Sequence, residues 1–167
     1  MNADEKDRSL REHLLYLLRG GGAHATFEQA VNDFPAELIN ARAAGAAYTP
    51  WQLLEHMRIA QWDIVEFSRT AAHVSPDWPE GYWPDKSKEA TGEDWRRSVE
   101  GFRADLRRME ALVEDEAGDL YARIPHGEGQ TLLREALLVA DHNAYHLGVL
   151  VTLRRLLEAS RGAEGRG

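Results

Sequence analysis

The stretch from residue 131 to about residue 159 constrains the fold most, because it reads as one helix about 43 Å long at 1.5 Å per residue. It follows the Pro125-His126-Gly127 turn and Gly129, and it is apolar nearly all round. Such a helix needs neighbours over most of its circumference, so it belongs at the centre of a bundle or of a dimer. Ala136, Ala140, Ala144 and Gly148 form a stripe of small residues on one side, which lets another helix backbone come close.

The helices that could cover it announce themselves by their caps. Ser9 with Glu12 has capping-box spacing ahead of a helical period in Leu10, Leu14, Leu17 and Leu18, and Gly20-Gly21-Gly22 stops it; this helix can extend back to Asp4. Thr26 with Gln29 repeats the box, and Pro35 separates two short helical pieces on either side of it. Thr49-Pro50-Trp51-Gln52 is the clearest start, with a threonine cap and proline at the first helical position; the helix should run to about Ala72. Thr91 with Asp94 begins another, which carries Trp95, Val99, Phe102, Leu106, Met109 and Val113 on one face and ends before Gly118.

No strand alternation, internal repeat or phosphate loop interrupts this pattern. The expected architecture is all-α, an up-and-down four-helix bundle with short extra helices, built as a single domain over residues 1–160 with a flexible tail at 161–167. The 73–90 connection departs from that economy, since it holds Pro76, Pro79 and Pro84 together with Trp78, Tyr82 and Trp83. Connections of this length cover a site or close the end of a bundle, and both roles stand for this one.

Composition excludes several functions. Cysteine is absent, so disulfides, thiolate ligands and a cysteine nucleophile are ruled out, and thiol chemistry would need an external thiol. A net charge of −8 disfavours sequence-independent binding to nucleic acid or anionic membrane. Clusters such as Arg96-Arg97 and Arg107-Arg108 lie among acidic residues and read as solvated helix faces. No run of about 18 apolar residues occurs and the first residues are charged, so the expected location is cytoplasmic.

Histidine is left as the metal-ligating residue type, with carboxylates beside it. His142 and His146 are four residues apart and project from one helix face, together with Leu138, Val139, Tyr145, Val149, Leu153 and Leu156. His56 shares its face with Leu53, Ile59, Ala60, Ile64 and Phe67. The spacing alone recurs by chance, and a single buried histidine is ordinarily a hydrogen-bonded core residue. Three imidazoles turned into an apolar core are different: each would cost about 1–3 kcal/mol if unpartnered, whereas structural zinc binding contributes about 10 kcal/mol or more.

His56, His142 and His146 are therefore the candidate ligands of one divalent ion, with a coordination position left open for water or substrate. The sequence His142-Asn143-Ala144-Tyr145-His146 lacks the glutamate of zinc proteases, and no Glu-x-x-His pair of the di-iron bundles occurs. Asp63 and Glu135 lie two turns from a ligand, as pocket or outer-shell candidates. Tyr145 and Gln52 are candidates to line the open side, and Trp83 is a pocket candidate from the long loop. Glu55 and Asp141 directly precede ligands and read as exposed helix charges or imidazole orienters. His13, His24, His73 and His126 read as solvated.

Three stretches, Trp51-Gln52-Leu53-Leu54-Glu55-His56, the aromatic loop 77–84 and Asp141-His142-Asn143-Ala144-Tyr145-His146-Leu147-Gly148, resemble the DinB-like family over nearly the whole chain. The resemblance implies a four-helix bundle, commonly dimeric, with nickel or zinc on one histidine of the second long helix and on an i, i+4 pair of the last. His56, His142 and His146 fill those positions. Relatives in the wider superfamily transfer low-molecular-weight thiols such as bacillithiol or mycothiol, or isomerise maleylpyruvate with a thiol. The resemblance thus implies a metal-dependent enzyme of the thiol S-transferase type, acting on a small-molecule thiol and an electrophile. The alternatives are a hydrolase using metal-activated water and a non-catalytic, metal-stabilised homodimer in stress response.

Overall fold

The computed structural model describes residues 2–164, and among them the chain is helical with no strand. The α-helices are α1 (Ala3–Leu18), α2 (Phe27–Val31), α3 (Pro50–Arg69), α4 (Gly92–Glu114) and α5 (Leu132–Glu164), with 3-10 turns at Ala36–Leu38 and Glu80–Tyr82. The four long helices pack on one another: α3 lies against α4 and α5, and α1 against the same two. No helix among the described residues is long and apolar enough to cross a membrane.

Caps set the boundaries. Thr26, Thr49 and Thr91 each accept a hydrogen bond from the backbone N–H three residues on, and the third residue reciprocates, as the spacing predicts. The box at Ser9 and Glu12 is not the one used. Asn2 accepts from the Glu5 N–H and Glu5 closes the box, so α1 begins at Ala3, where Asp4 and Glu5 complement the positive helix end. α3 stops at Arg69 rather than Ala72, with Thr70 turning into extended backbone.

The last helix extends beyond the expected Ala159 to Glu164; Leu157 is buried near its end and Arg161 pairs with Glu37. The expected flexible tail is thus helical over 161–164, and its last residues, 165–167, lie outside the described residues. α5 also differs in its surroundings. Ala136 is fully buried, but Ala144 and Gly148 face outward, and Leu137, Tyr145, Val149 and Leu156 are exposed. The small-residue stripe therefore leaves the core after Ala140, which still packs against it, and its outer half at Ala144 and Gly148 is exposed.

Two apolar clusters flank the centre. One joins Leu53, Leu54, Met57, Phe102, Leu150 and Leu153; the other joins Leu14, Val65, Met109, Val113 and Val139. Phe102 also stacks on Phe27, with ring centroids 4.0 Å apart, which fixes α2 against α4. Arg11, 5% exposed, donates to the carbonyls of Val113, Asp115 and Gly118 and so ties α1 to the end of α4.

Candidate metal centre

The packing of α3 on α5 brings His56 to the i, i+4 pair. The Nε2 atom of His56 lies 3.3 Å from that of His146 and 3.2 Å from that of His142. Ligand atoms of all three histidines fall within 4.8 Å of one another. Two nitrogens each 2.0–2.1 Å from a shared ion at a tetrahedral angle are about 3.3–3.4 Å apart, so the two separations from His56 are those of ligands that could share one cation. With no ion bound, the same separations allow the His56 Nε2 to accept from a neighbouring Nε2–H. His56 already donates its Nδ1–H to the Tyr82 carbonyl at 2.8 Å, leaving its Nε2 a bare lone pair.

Burial holds the rings in the form a metal requires. It pushes the His142 imidazole down to about 4, aided by the charge of neighbouring His56, and the His146 imidazole down to about 4, aided by His142 and His56. Burial likewise lowers His56, opposed by its bond to the Tyr82 carbonyl. Near pH 7 all three are neutral, with a lone pair to offer.

The rings are fixed by different means. His56, 4% exposed, is stacked face to face on Trp83 with centroids 3.9 Å apart and planes 3° apart, and Trp83 stacks on Tyr48 at 3.8 Å. The Nδ1 atoms of His142 and His146 are buried without a hydrogen-bond partner, so these two rings are oriented by the helix and by packing. Tyr145 meets the His146 ring edge-on at 4.8 Å.

The candidates read from sequence separate into groups. Trp83 sits against His56, and Tyr145 borders His146, although it is 69% exposed rather than turned into the interior. Asp63 is an outer partner: its carboxylate accepts from Tyr82 Oη at 2.6 Å and from His73 Nε2 at 2.7 Å. Gln52 does not line the open side. Its side chain closes the α3 capping box and donates to the Lys86 carbonyl, the use its position three residues after Thr49 dictates.

Glu135 is 2% exposed and accepts from the adjacent Arg134; it belongs neither to the histidine cluster nor to the cleft beside it. Glu55 bonds Arg58 and Ser98 and orients no imidazole; Asp141 is exposed. His13 and His24 are exposed as expected, and His126, also exposed, bonds the Phe67 carbonyl.

His73 departs from the solvated reading, since its side chain is only 7% exposed and is held by Asp63. The residues that sequence reasoning missed are thus His73 and Tyr82. The three prolines and three aromatics of the 73–90 loop were the signal that could have found them. The loop does cover the site, through Tyr82 and Trp83.

His146, Trp83 and Tyr145 also wall a cleft of about 550 Å3 that runs from the cluster between residues 44–48 and the outer face of α5. Fold and site together define an all-α protein whose partly buried three-histidine cluster could hold one metal ion. The family model of the DinB superfamily matches residues 22–150, and the chain belongs to that superfamily. Comparison with curated proteins and with solved structures finds no match.

Proposed function

We propose that this protein is a divalent-metal-dependent enzyme that transfers an exogenous low-molecular-weight thiol to an electrophile. The observation that carries the reading is the convergence of three neutral Nε2 atoms beside a cleft. Three protein ligands leave a position open, the arrangement of catalytic rather than closed structural sites. Neutral imidazoles suit nickel or zinc among the divalent ions. A bound ion supplies Lewis acidity, which lowers the pKa of a thiol or water at the open position.

The chain's own residues bind and shield. His56, His142 and His146 hold the ion, Tyr82 fixes the His56 ring through its carbonyl, and Trp83 covers that ring from water. In the transfer, a sulfur–carbon bond forms as the bond to the leaving group breaks. The leaving group keeps the electron pair, and the thiol proton goes to solvent.

Hydrolysis by activated water is supported less well, because it needs a general base. Asp63, the acidic residue tied to this region, already has both oxygens engaged by His73 and Tyr82. The test is to incubate metal-loaded protein with bacillithiol, mycothiol or glutathione and monochlorobimane, following bimane fluorescence and chloride release. Turnover above that of His142→Ala is expected. Rates equal to that variant's with every thiol would remove the transferase reading; a metal-dependent rise in thermal stability without turnover would then favour a metal-stabilised structural role.

A further inference from the structure

The cleft beside His146 bears no charged side chain on its walls, in a chain with 29% charged residues. Tyr48, Leu53, Trp83, Val149, Leu153 and Leu156 are among the residues that line it. Tyr145, Val149 and Leu156 stay 69%, 38% and 51% exposed there, so large apolar side chains are left wet along its length. The cleft adjoins the candidate metal centre through His146 and through Trp83, which stacks between Tyr48 and His56. A ligand carrying a carboxylate or phosphate on its body would lose hydration and find no cation in return.

From this we infer that the cleft is the subsite for the electrophilic partner, and that this partner is a neutral, apolar small molecule. Its polar head reaches the metal position beside His146 and its hydrocarbon body lies between residues 44–48 and α5. The volume of about 550 Å3 is within the range of small-molecule sites. This assignment rests on the metal-dependent reading above for the head group, while the apolar body is argued from the cleft alone.

Three hydroxamates test it, because they share a metal-binding head and differ in tail. Acetohydroxamate has no tail, octanohydroxamate has a neutral one, and suberic monohydroxamate has a tail of equal length ending in a carboxylate. Calorimetric titration of zinc-loaded protein should give octanohydroxamate an affinity about tenfold or more above acetohydroxamate. Suberic monohydroxamate should lose most of that gain. Val149→Glu and Leu156→Glu, both at solvent-exposed positions, should abolish the tail's advantage while zinc content is retained.

Equal affinity for acetohydroxamate and octanohydroxamate overturns the subsite, and equal affinity for the two long tails overturns the neutral character of its ligand. If the protein takes up no zinc, the metal reading fails separately. Titration of metal-free protein with the neutral dye Nile red then decides the cleft: enhanced fluorescence lost in Val149→Glu upholds it, and no enhancement overturns it.

Discussion

Replacing Asp63 by asparagine should weaken metal binding although Asp63 touches no ligand. Its carboxylate accepts a 2.6 Å bond from the Tyr82 hydroxyl, and the Tyr82 carbonyl in turn accepts the Nδ1–H of His56 at 2.8 Å. Burial and the Asp63 carboxylate push the Tyr82 phenol up to about 12, so it remains a donor throughout the neutral range. The second carboxylate oxygen accepts from His73, at the start of the same loop. Asp63 thus fastens the 73–90 loop at two points, and the loop fixes the tautomer and angle of His56.

A hydrogen bond to a charged group contributes about 1.5–3 kcal/mol, and 1.4 kcal/mol is about tenfold in an equilibrium constant. If most of that reaches the His56 ring, zinc affinity falls by about 10- to 100-fold, the usual range for residues that orient metal-bound histidines. Competition with a chromogenic chelator reads this directly. Tyr82→Phe should give a loss of the same order, and the double variant less than the sum, since both act through one contact. If both single variants fold and hold zinc as tightly as the parent, the loop carbonyl does not position His56 and the reasoning fails.

Arg11→Met should cost about 3 kcal/mol and lower Tm by about 6–12 °C in thermal unfolding, because it strands three carbonyls at the α1–α4 junction. Metal-free protein should lose stability as pH falls from the ordinary histidine value of 6.5 toward about 4: the unfolded chain takes up protons at His142 and His146 that the fold refuses. Thermal melts across that window check this, and His142→Gln/His146→Gln should flatten the dependence. Saturating zinc at 100 times its Kd should add about 2.7 kcal/mol and raise Tm by about 5–10 °C, a shift absent in His142→Ala. We also expect a homodimer, through the α5 face that carries exposed Leu137, Ala144 and Gly148; a monomeric mass by light scattering at micromolar concentration would refute it.

The helices were legible because their starts are chemical signals that depend on neighbours in sequence. Thr49-Pro50-Trp51-Gln52 caps the same way in any surroundings, and so do Thr26 with Gln29 and Thr91 with Asp94. The helix ends were less so, because the surroundings of the last turns of α5, such as Glu37 beside Arg161, are set only after folding. The three-histidine cluster was legible for a related reason. An i, i+4 pair on an apolar face can be seen within one helix, and a third imidazole on another apolar face needs only the two helices to pack.

Asp63, Tyr82 and His73 form a different kind of unit. The two-turn spacing from His56 marks Asp63 and the loop's composition marks 73–90, but nothing local pairs them, and His73 reads as a loop histidine until the chain reverses and presents it to Asp63. The bond that orients His56 comes from a main-chain carbonyl, which any residue at position 82 would carry, so side-chain chemistry gives no hint of it. Residue type therefore reveals which atoms can hold the ion, whereas what aims them is a property of the loop's path. For that reason the decisive perturbations of this site are the ones that loosen the loop while leaving all three histidines in place.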